Sequence, residues 1–136
     1  MTVKELMSTD IVAVDEQDPV SQVAQKMSNH KIGAVPVVNG SDVRGIITDR
    51  DIVLRCVAKG KNSDNCKAVD VMTPSACCIS ANQPIADAVR LMGEQQVRRL
   101  PVVDNGRISG MISLGDVAKS RVSTEISQAL AEISMP

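Results

Sequence analysis

The chain contains no phenylalanine, tyrosine or tryptophan. That absence excludes aromatic cages, base-stacking platforms and aromatic sugar clamps. A flat ligand would have to be held by aliphatic side chains and backbone. Histidine is almost as scarce. His30 stands alone in Ser28-Asn29-His30-Lys31, just past an apolar-periodic stretch. It reads as a solvated helix end, and no Ser-His-Asp set can be built around it. The four cysteines, Cys56, Cys66, Cys77 and Cys78, form no Cys-x-x-Cys pair, and no second histidine completes a zinc set. Cys77-Cys78 reads as two small residues in a strand. The alternative is a vicinal pair open to oxidation or to a soft metal. Walker and Rossmann glycine patterns are missing. With no base, nucleophile or metal set, no enzyme and no catalytic cofactor are expected.

An excess of positive charge is also lacking. Lys and Arg number 15 against 16 Asp and Glu, for a net charge of −1. A non-specific nucleic-acid binder needs a basic surface, so that class is set aside. No run approaches the roughly 20 apolar residues of a membrane helix. The first ten residues are polar and do not resemble a signal peptide. A cytoplasmic protein is therefore expected.

What the chain does have is internal repetition. Within its 136 residues, 43% of them apolar, Met7 and Met72 lie 65 positions apart. The same offset relates Pro19 to Pro84, Met27 to Met92, Pro36 to Pro101, Gly45 to Gly110 and Asp51 to Asp116. It runs without a gap from the Val3/Ala68 pair to the Val53/Ala118 pair. A constant offset in hydrophobic phase predicts two copies of one fold unit. The expected boundaries are residues 1–58, a polar linker over 59–67, residues 68–120, and a C-terminal amphipathic tail over 121–136.

Each copy reads as a short helix (Val3–Met7 or Val69–Met72), then a short strand (Ile11–Val14 or Cys77–Ile79). Asp18-Pro19 and Gln83-Pro84 then start a helix, with proline expected at its first position. Val20, Val23, Ala24 and Met27 mark its apolar face, as do Ile85, Ala88, Val89 and Met92. A hairpin follows, Ala34–Val38 with Val43–Thr48 or Arg99–Val103 with Ile108–Ser113, turning at Asn39-Gly40 or Asp104-Asn105-Gly106. A helix closes each copy, Asp49–Ala58 or Leu114–Ser120. The class is α/β (α+β), with β-α-β-β-α order in tandem. One copy alone buries little surface, so a single globule with pseudo-two-fold symmetry is expected. The tail places Val122, Ile126, Ala129, Leu130 and Ile133 on one face, suited to packing on its own domain or to a dimer contact.

Gly45-Ile46-Ile47-Thr48-Asp49-Arg50-Asp51 and Gly110-Met111-Ile112-Ser113-Leu114-Gly115-Asp116 share one pattern, Gly-apolar-apolar-Thr/Ser-x-x-Asp. Each follows a small or apolar-Pro-Val-Val strand, Ala34–Val38 or Arg99–Val103. In tandem, these motifs resemble a pair of CBS domains, the cystathionine-β-synthase-type regulatory repeat, over residues 3–120. The chain is most similar to small stand-alone bacterial tandem-CBS proteins.

The motif suits a nucleotide on physical grounds as well. A strand-end hydroxyl can meet a phosphate or ribose oxygen, and a helix N-terminus offers unpaired N–H groups. A first-turn carboxylate can accept from both ribose hydroxyls, as in other nucleotide folds. The competing explanation is capping, with Thr48 and Ser113 as helix caps and Asp51 and Asp116 favouring the dipole.

The resemblance implies adenine nucleotides or related adenosyl compounds, bound in clefts between the repeats. In one cleft Thr48 and Asp51 would hold the ribose with Arg50 near phosphate. Adenine would rest on Ile11, Val12, Ile32 and Ala34. In the other, Ser113 and Asp116 would hold the ribose with Arg99 facing phosphate, and Cys77, Val97 and Arg99 would line the base. Arg98-Arg99 stands where the first copy has Gly33-Ala34. It reads as a phosphate fork or as a solvated strand edge. The implied function is a non-enzymatic adenine-nucleotide sensor, a homodimer read by a partner protein. The alternatives are a cysteine-based redox or metal sensor and a purely structural dimerisation module.

Overall fold

Proline shapes both long helices. Pro19 and Pro84 lack an N–H and hold extended ψ values of 145° and 148°, so each is the residue before the helix and not its first member. The helices that follow are α2 (Val20–His30) and α5 (Ile85–Gln95). In the computed structural model, which describes residues 1–74, 78–119 and 129–133, the remaining elements are as follows. The first copy holds α1 (Val3–Leu6), β1 (Val14–Asp15), β2 (Ala34–Asn39), β3 (Asp42–Thr48) and α3 (Asp49–Ile52). The second holds α4 (Ala68–Val71), β4 (Thr73–Pro74), β5 (Arg99–Asp104), β6 (Arg107–Ser113) and α6 (Leu114–Ala118).

Both long helices end on a left-handed residue, Lys31 and Gln96, each at φ 54°. His30 closes α2 and is exposed, as expected of a solvated helix end. Ala24 departs from the predicted apolar face and is exposed, whereas Val20, Val23 and Met27 are buried. The expected strand Ile11–Val14 contracts to Val14–Asp15, which pairs in parallel with Val37 and Val38. Of Cys77–Ile79, Cys77 lies outside the described residues, and Ile79 makes a single parallel bridge to Val102. Of the helix expected over Asp49–Ala58, only Asp49–Ile52 is α. It widens into a π turn over Val53–Val57, in which the Ala58 N–H reaches back to the Val53 carbonyl at 2.8 Å.

Both expected hairpins form. Asn39 faces Asp42 and Asp104 faces Arg107. The second turn, Asn105-Gly106, has φ values of 53° and 76°, the geometry that a tight hairpin needs.

The chain divides into two units that do not coincide with the sequence repeats. The inner unit is Val12–Ala76, and the outer unit joins Met1–Ile11 to Cys77–Pro136. The first helices have changed places. α1 belongs with the second copy and α4 with the first. Backbone hydrogen bonds fix this exchange, and they obey the sequence offset. The Val3 N–H donates to the Gln83 carbonyl at 2.9 Å, as the Ala68 N–H does to Asp18 at 2.8 Å. The Ile85 N–H donates to Met1 at 3.0 Å, as Val20 does to Cys66 at 2.8 Å. The exchanged carbonyls thus satisfy the first N–H of each long helix, which proline leaves uncapped.

Each unit has one sheet pattern. In the inner unit the order is β1-β2-β3-β4. In the outer unit β5 and β6 are flanked by single bridges, Ile79 to Val102 on one side and Ser8 to Met111 on the other. The core forms two clusters, one per unit. Val3 of α1 packs with Ile85, Met92, Leu100 and Ile112. Ala68 and Val71 of α4 pack with Val20, Val35 and Ile47. The amphipathic tail lies partly outside the described residues, which exclude Val122 and Ile126. Residues 129–133 are helical and pack on the outer unit, with Ala129 buried and Ile133 against the same cluster. Leu130, expected on the same face, is exposed.

Candidate functional site

Thr48 is the last residue of β3 and the cap of α3. Its extended backbone (φ −110°, ψ 163°) stops the strand and starts the helix. Its Oγ1 accepts from the Asp51 N–H at 3.0 Å, and its own N–H donates to Asp51 Oδ2 at 3.0 Å. Ser113 and Asp116 repeat the arrangement between β6 and α6, at 3.1 Å and 3.0 Å. Both motifs are therefore reciprocal capping boxes. The capping explanation is correct as far as it goes.

It leaves chemistry over. The cap engages Oδ2 of each aspartate, and Oδ1 has no partner among the described residues. No buried side-chain oxygen there lacks a hydrogen bond, so both Oδ1 atoms are open to solvent. The two hydroxyls accept through the cap and keep a hydrogen to donate.

The pairing of strands gathers further predicted residues. Ala34 lies opposite Thr48, and the Asp49 N–H donates to the Gly33 carbonyl at 3.0 Å. Ile32 and Val12 pack on the inner core beside them. Arg50 is exposed in the first turn of α3. In the outer unit Arg99 lies opposite Ser113, the Leu114 N–H donates to the Arg98 carbonyl at 2.8 Å, and Val97 packs on the core. Among the described residues Arg50, Arg98 and Arg99 have no carboxylate partner; the ion pairs are Arg44–Glu16 and Arg90–Asp87. Ile11 ends the first segment of the outer unit and is half-buried. Cys77 lies outside the described residues.

The difference between the copies has a steric basis. A Cβ on Gly33 would lie 3.1 Å from Asp49 Oδ2. Where the second copy has Leu114 in place of Asp49, that carboxylate is gone and Arg98 fits.

The motif glycines have a separate role that the pattern alone does not reveal. A Cβ on Gly45 would lie 2.5 Å from the Thr73 carbonyl oxygen and 2.8 Å from Met72 Sδ. On Gly110 it would lie 2.7 Å from the Ser8 carbonyl oxygen and 2.8 Å from Met7 Sδ. Each glycine admits the segment that follows the exchanged helix.

A cavity of about 660 Å³ in the outer unit lies away from the motif, lined by residues including Lys4, Ser80, Asp104 and Ser109. Asp104 accepts from Ser80 Oγ at 2.7 Å and from Ser109 Oγ at 2.8 Å. These hydrogen bonds, with the Ala81 N–H and nearby Lys4, hold its carboxyl below the usual range despite partial desolvation. No sequence motif marked this cluster. Among the described residues no group of three or more His, Cys, Asp or Glu could hold a metal ion, and no helix is long and apolar enough to cross a membrane.

Comparison with known proteins places this geometry. The family model described as "CBS domain" matches residues 3–57 and 68–123. The CBS domain-containing protein YhcV of Bacillus subtilis is 36% identical over 134 residues, covering 98% of this chain and 95% of that protein. Hypoxic response protein 1 of Mycobacterium tuberculosis is 32% identical over 136 residues, covering 99% and 95%. A crystal structure of hypoxic response protein I with two coordinated zinc ions superposes with a TM-score of 0.83 at 30% identity, covering 90% of this chain and 100% of that one. A crystal structure of CBSX2 in complex with AMP superposes with a TM-score of 0.76 at 26% identity, covering 88% and 94%.

Proposed function

This chain belongs to the CBS-domain family, and on that premise we propose that it is a non-enzymatic module sensing adenine nucleotides: AMP, ADP, ATP or a related adenosyl compound. One observation carries the reading. Two strand-end hydroxyls and two first-turn aspartates recur in register, each aspartate holding its cap with one oxygen and offering the other to solvent. In this reading Asp51 and Asp116 accept from ribose hydroxyls, and Thr48 and Ser113 donate to ribose or phosphate oxygens. Arg50 serves the phosphate in the inner unit; Arg98 and Arg99 serve it in the outer unit. Val12, Ile32 and Ala34 flank the base at one position, and Val97 and Arg99 at the other. The relative CBSX2 in complex with AMP supports the ligand class. No catalytic cofactor enters this reading, and the setting is the nucleotide-rich cytoplasm.

The missing aromatics make the test direct. The polypeptide absorbs almost nothing in the near ultraviolet, so bound adenine dominates the spectrum of a purified sample. We expect an adenine band that disappears after denaturation and desalting, and heat on titrating the stripped protein with AMP. A flat spectrum together with no heat for AMP, ADP or ATP would leave a structural dimerisation module as the better description.

The reading includes a homodimer. Val53, Leu54 and Val57 expose an apolar face on the π turn after α3. Sedimentation at micromolar concentration is expected to give twice the chain mass. A monomer throughout that range would refute this part.

A further inference from the structure

Two cysteines have no place in the nucleotide reading, and the fold brings them together. Cys56 sits near the end of the π turn, and Cys66 two residues before α4. Both belong to the inner core cluster, at 0% and 8% exposure. The segment between them folds back on itself. The Lys61 N–H donates to the Cys56 carbonyl at 3.1 Å, and the Cys66 N–H donates to the Asn62 carbonyl at 3.1 Å. The Cys56 thiol also donates to the Lys61 carbonyl at 3.7 Å. Cys66 is near enough to Cys56 to help push its thiol up, and both side chains pack in one buried cluster. The loop enclosing them, residues 57–65, is exposed at every position but Ser63. Opening it disturbs little buried apolar surface, so the thiols are guarded by a segment of low local stability.

We propose that Cys56 and Cys66 are a paired-thiol modification site, closing to an intramolecular disulfide when a hydroperoxide is the oxidant. Cys66, the less buried of the two, reacts first. Its thiolate attacks a peroxide oxygen, the O–O bond breaks, and the departing oxygen takes up a proton and leaves as water or an alcohol. Cys66 is then a sulfenic acid. The Cys56 sulfur attacks it, the S–O bond breaks, and the hydroxide released takes the Cys56 proton and leaves as water. The two sulfurs lose two electrons together, and the peroxide gains them. The division of roles agrees with the surroundings. Burial first, and then Cys66 itself, push the Cys56 thiol up, against a smaller opposing effect of Lys61. These effects disfavour the Cys56 thiolate. The disulfide ties the π turn after α3 to the segment before α4. This site is independent of nucleotide binding.

The test uses the full-length protein treated with hydrogen peroxide under native conditions, then alkylated in denaturant and mapped by peptide mass. The expected result is one cross-linked peptide pair containing Cys56 and Cys66. Alkylation should be lost at both and restored by dithiothreitol. Cys78→Ser, at an exposed position, should give the same link. In Cys66→Ala, Cys56 should stay fully alkylatable after peroxide. The proposal is overturned if both thiols still alkylate fully in the wild type. It is equally overturned if Cys66 is recovered as sulfinic acid or joined to Cys78.

Discussion

Gly110→Ala is expected to lower the melting temperature by about 10 °C, from a loss of about 2–3 kcal/mol. The added methyl would lie 2.7 Å from the Ser8 carbonyl oxygen. That oxygen is not free to retreat. It accepts from the Met111 N–H at 2.9 Å, while the Ser8 N–H donates to Met111 at 2.8 Å. Relieving the overlap breaks this two-bond bridge, and such bonds contribute roughly 0.5–1.5 kcal/mol each. Met7 Sδ, at 2.8 Å, must swing aside as well. Gly45→Ala should behave alike, since its methyl meets the Thr73 carbonyl oxygen at 2.5 Å. Gly115→Ala is the contrast. Its methyl meets only Ser113 Oγ, at 3.7 Å, and it sits inside α6. There, alanine should raise stability by up to about 1 kcal/mol. Thermal melts followed by far-ultraviolet circular dichroism would distinguish these cases. An unchanged midpoint for Gly110→Ala would mean that the exchanged segment does not seat against β6.

Asp116→Ala is expected to weaken AMP binding in the outer unit about tenfold or more, and Asp51→Ala to do the same in the inner unit. Hydrogen bonds to a charged group contribute roughly 1.5–3 kcal/mol, and each carboxylate would lose its bonds to the ribose. Each variant also removes half of a capping box, which should cost about 1 kcal/mol of stability. Both effects are expected together because each aspartate uses Oδ2 for the cap and keeps Oδ1 for the ligand. The arginines separate the phosphate from the ribose. Arg50→Ala should weaken AMP more than adenosine in the inner unit. Gly115 at the matching position has no side chain to lose, so Arg99→Ala should have that effect in the outer unit. Calorimetry with AMP and adenosine on each variant checks this. Lower melting temperatures with unchanged affinities would mean that the carboxylates serve only the caps.

The repeat, the hairpins and the strand-to-helix motif were legible in the chain because each rests on local rules. The 65-residue offset, the Asn-Gly and Pro signals and the apolar spacing all act over a few residues. The capping geometry of Thr48 and Ser113 was equally local. Where such rules run out, the readings failed. Ala24 has the spacing of a buried residue but stands at the margin of its helical stripe and is exposed. The strand Ile11–Val14 has the right composition, yet only Val14 and Asp15 find a partner edge along β2. The continuous helix over Asp49–Ala58 has the right periodicity, yet its second half opens into a π turn, and no residue there announces the extra backbone step.

The amino-acid order by itself determined that there are two copies, what elements each contains, and which hydroxyl and carboxylate stand at each helix start. Those are properties of near neighbours along the chain. Tertiary structure alone decided which helix completes which copy. α1 (Val3-Lys4-Glu5-Leu6) and α4 (Ala68-Val69-Asp70-Val71) share only an apolar-x-acidic-apolar pattern, which by itself does not assign either to a place. The choice depends on carbonyls and core positions far away in the chain: Met1 and Val3 for α5, Cys66 and Ala68 for α2. The same long-range closure gave the motif glycines their role and placed Cys56 beside Cys66. Contacts of this kind follow from the path of the whole chain, and no window of sequence contains them.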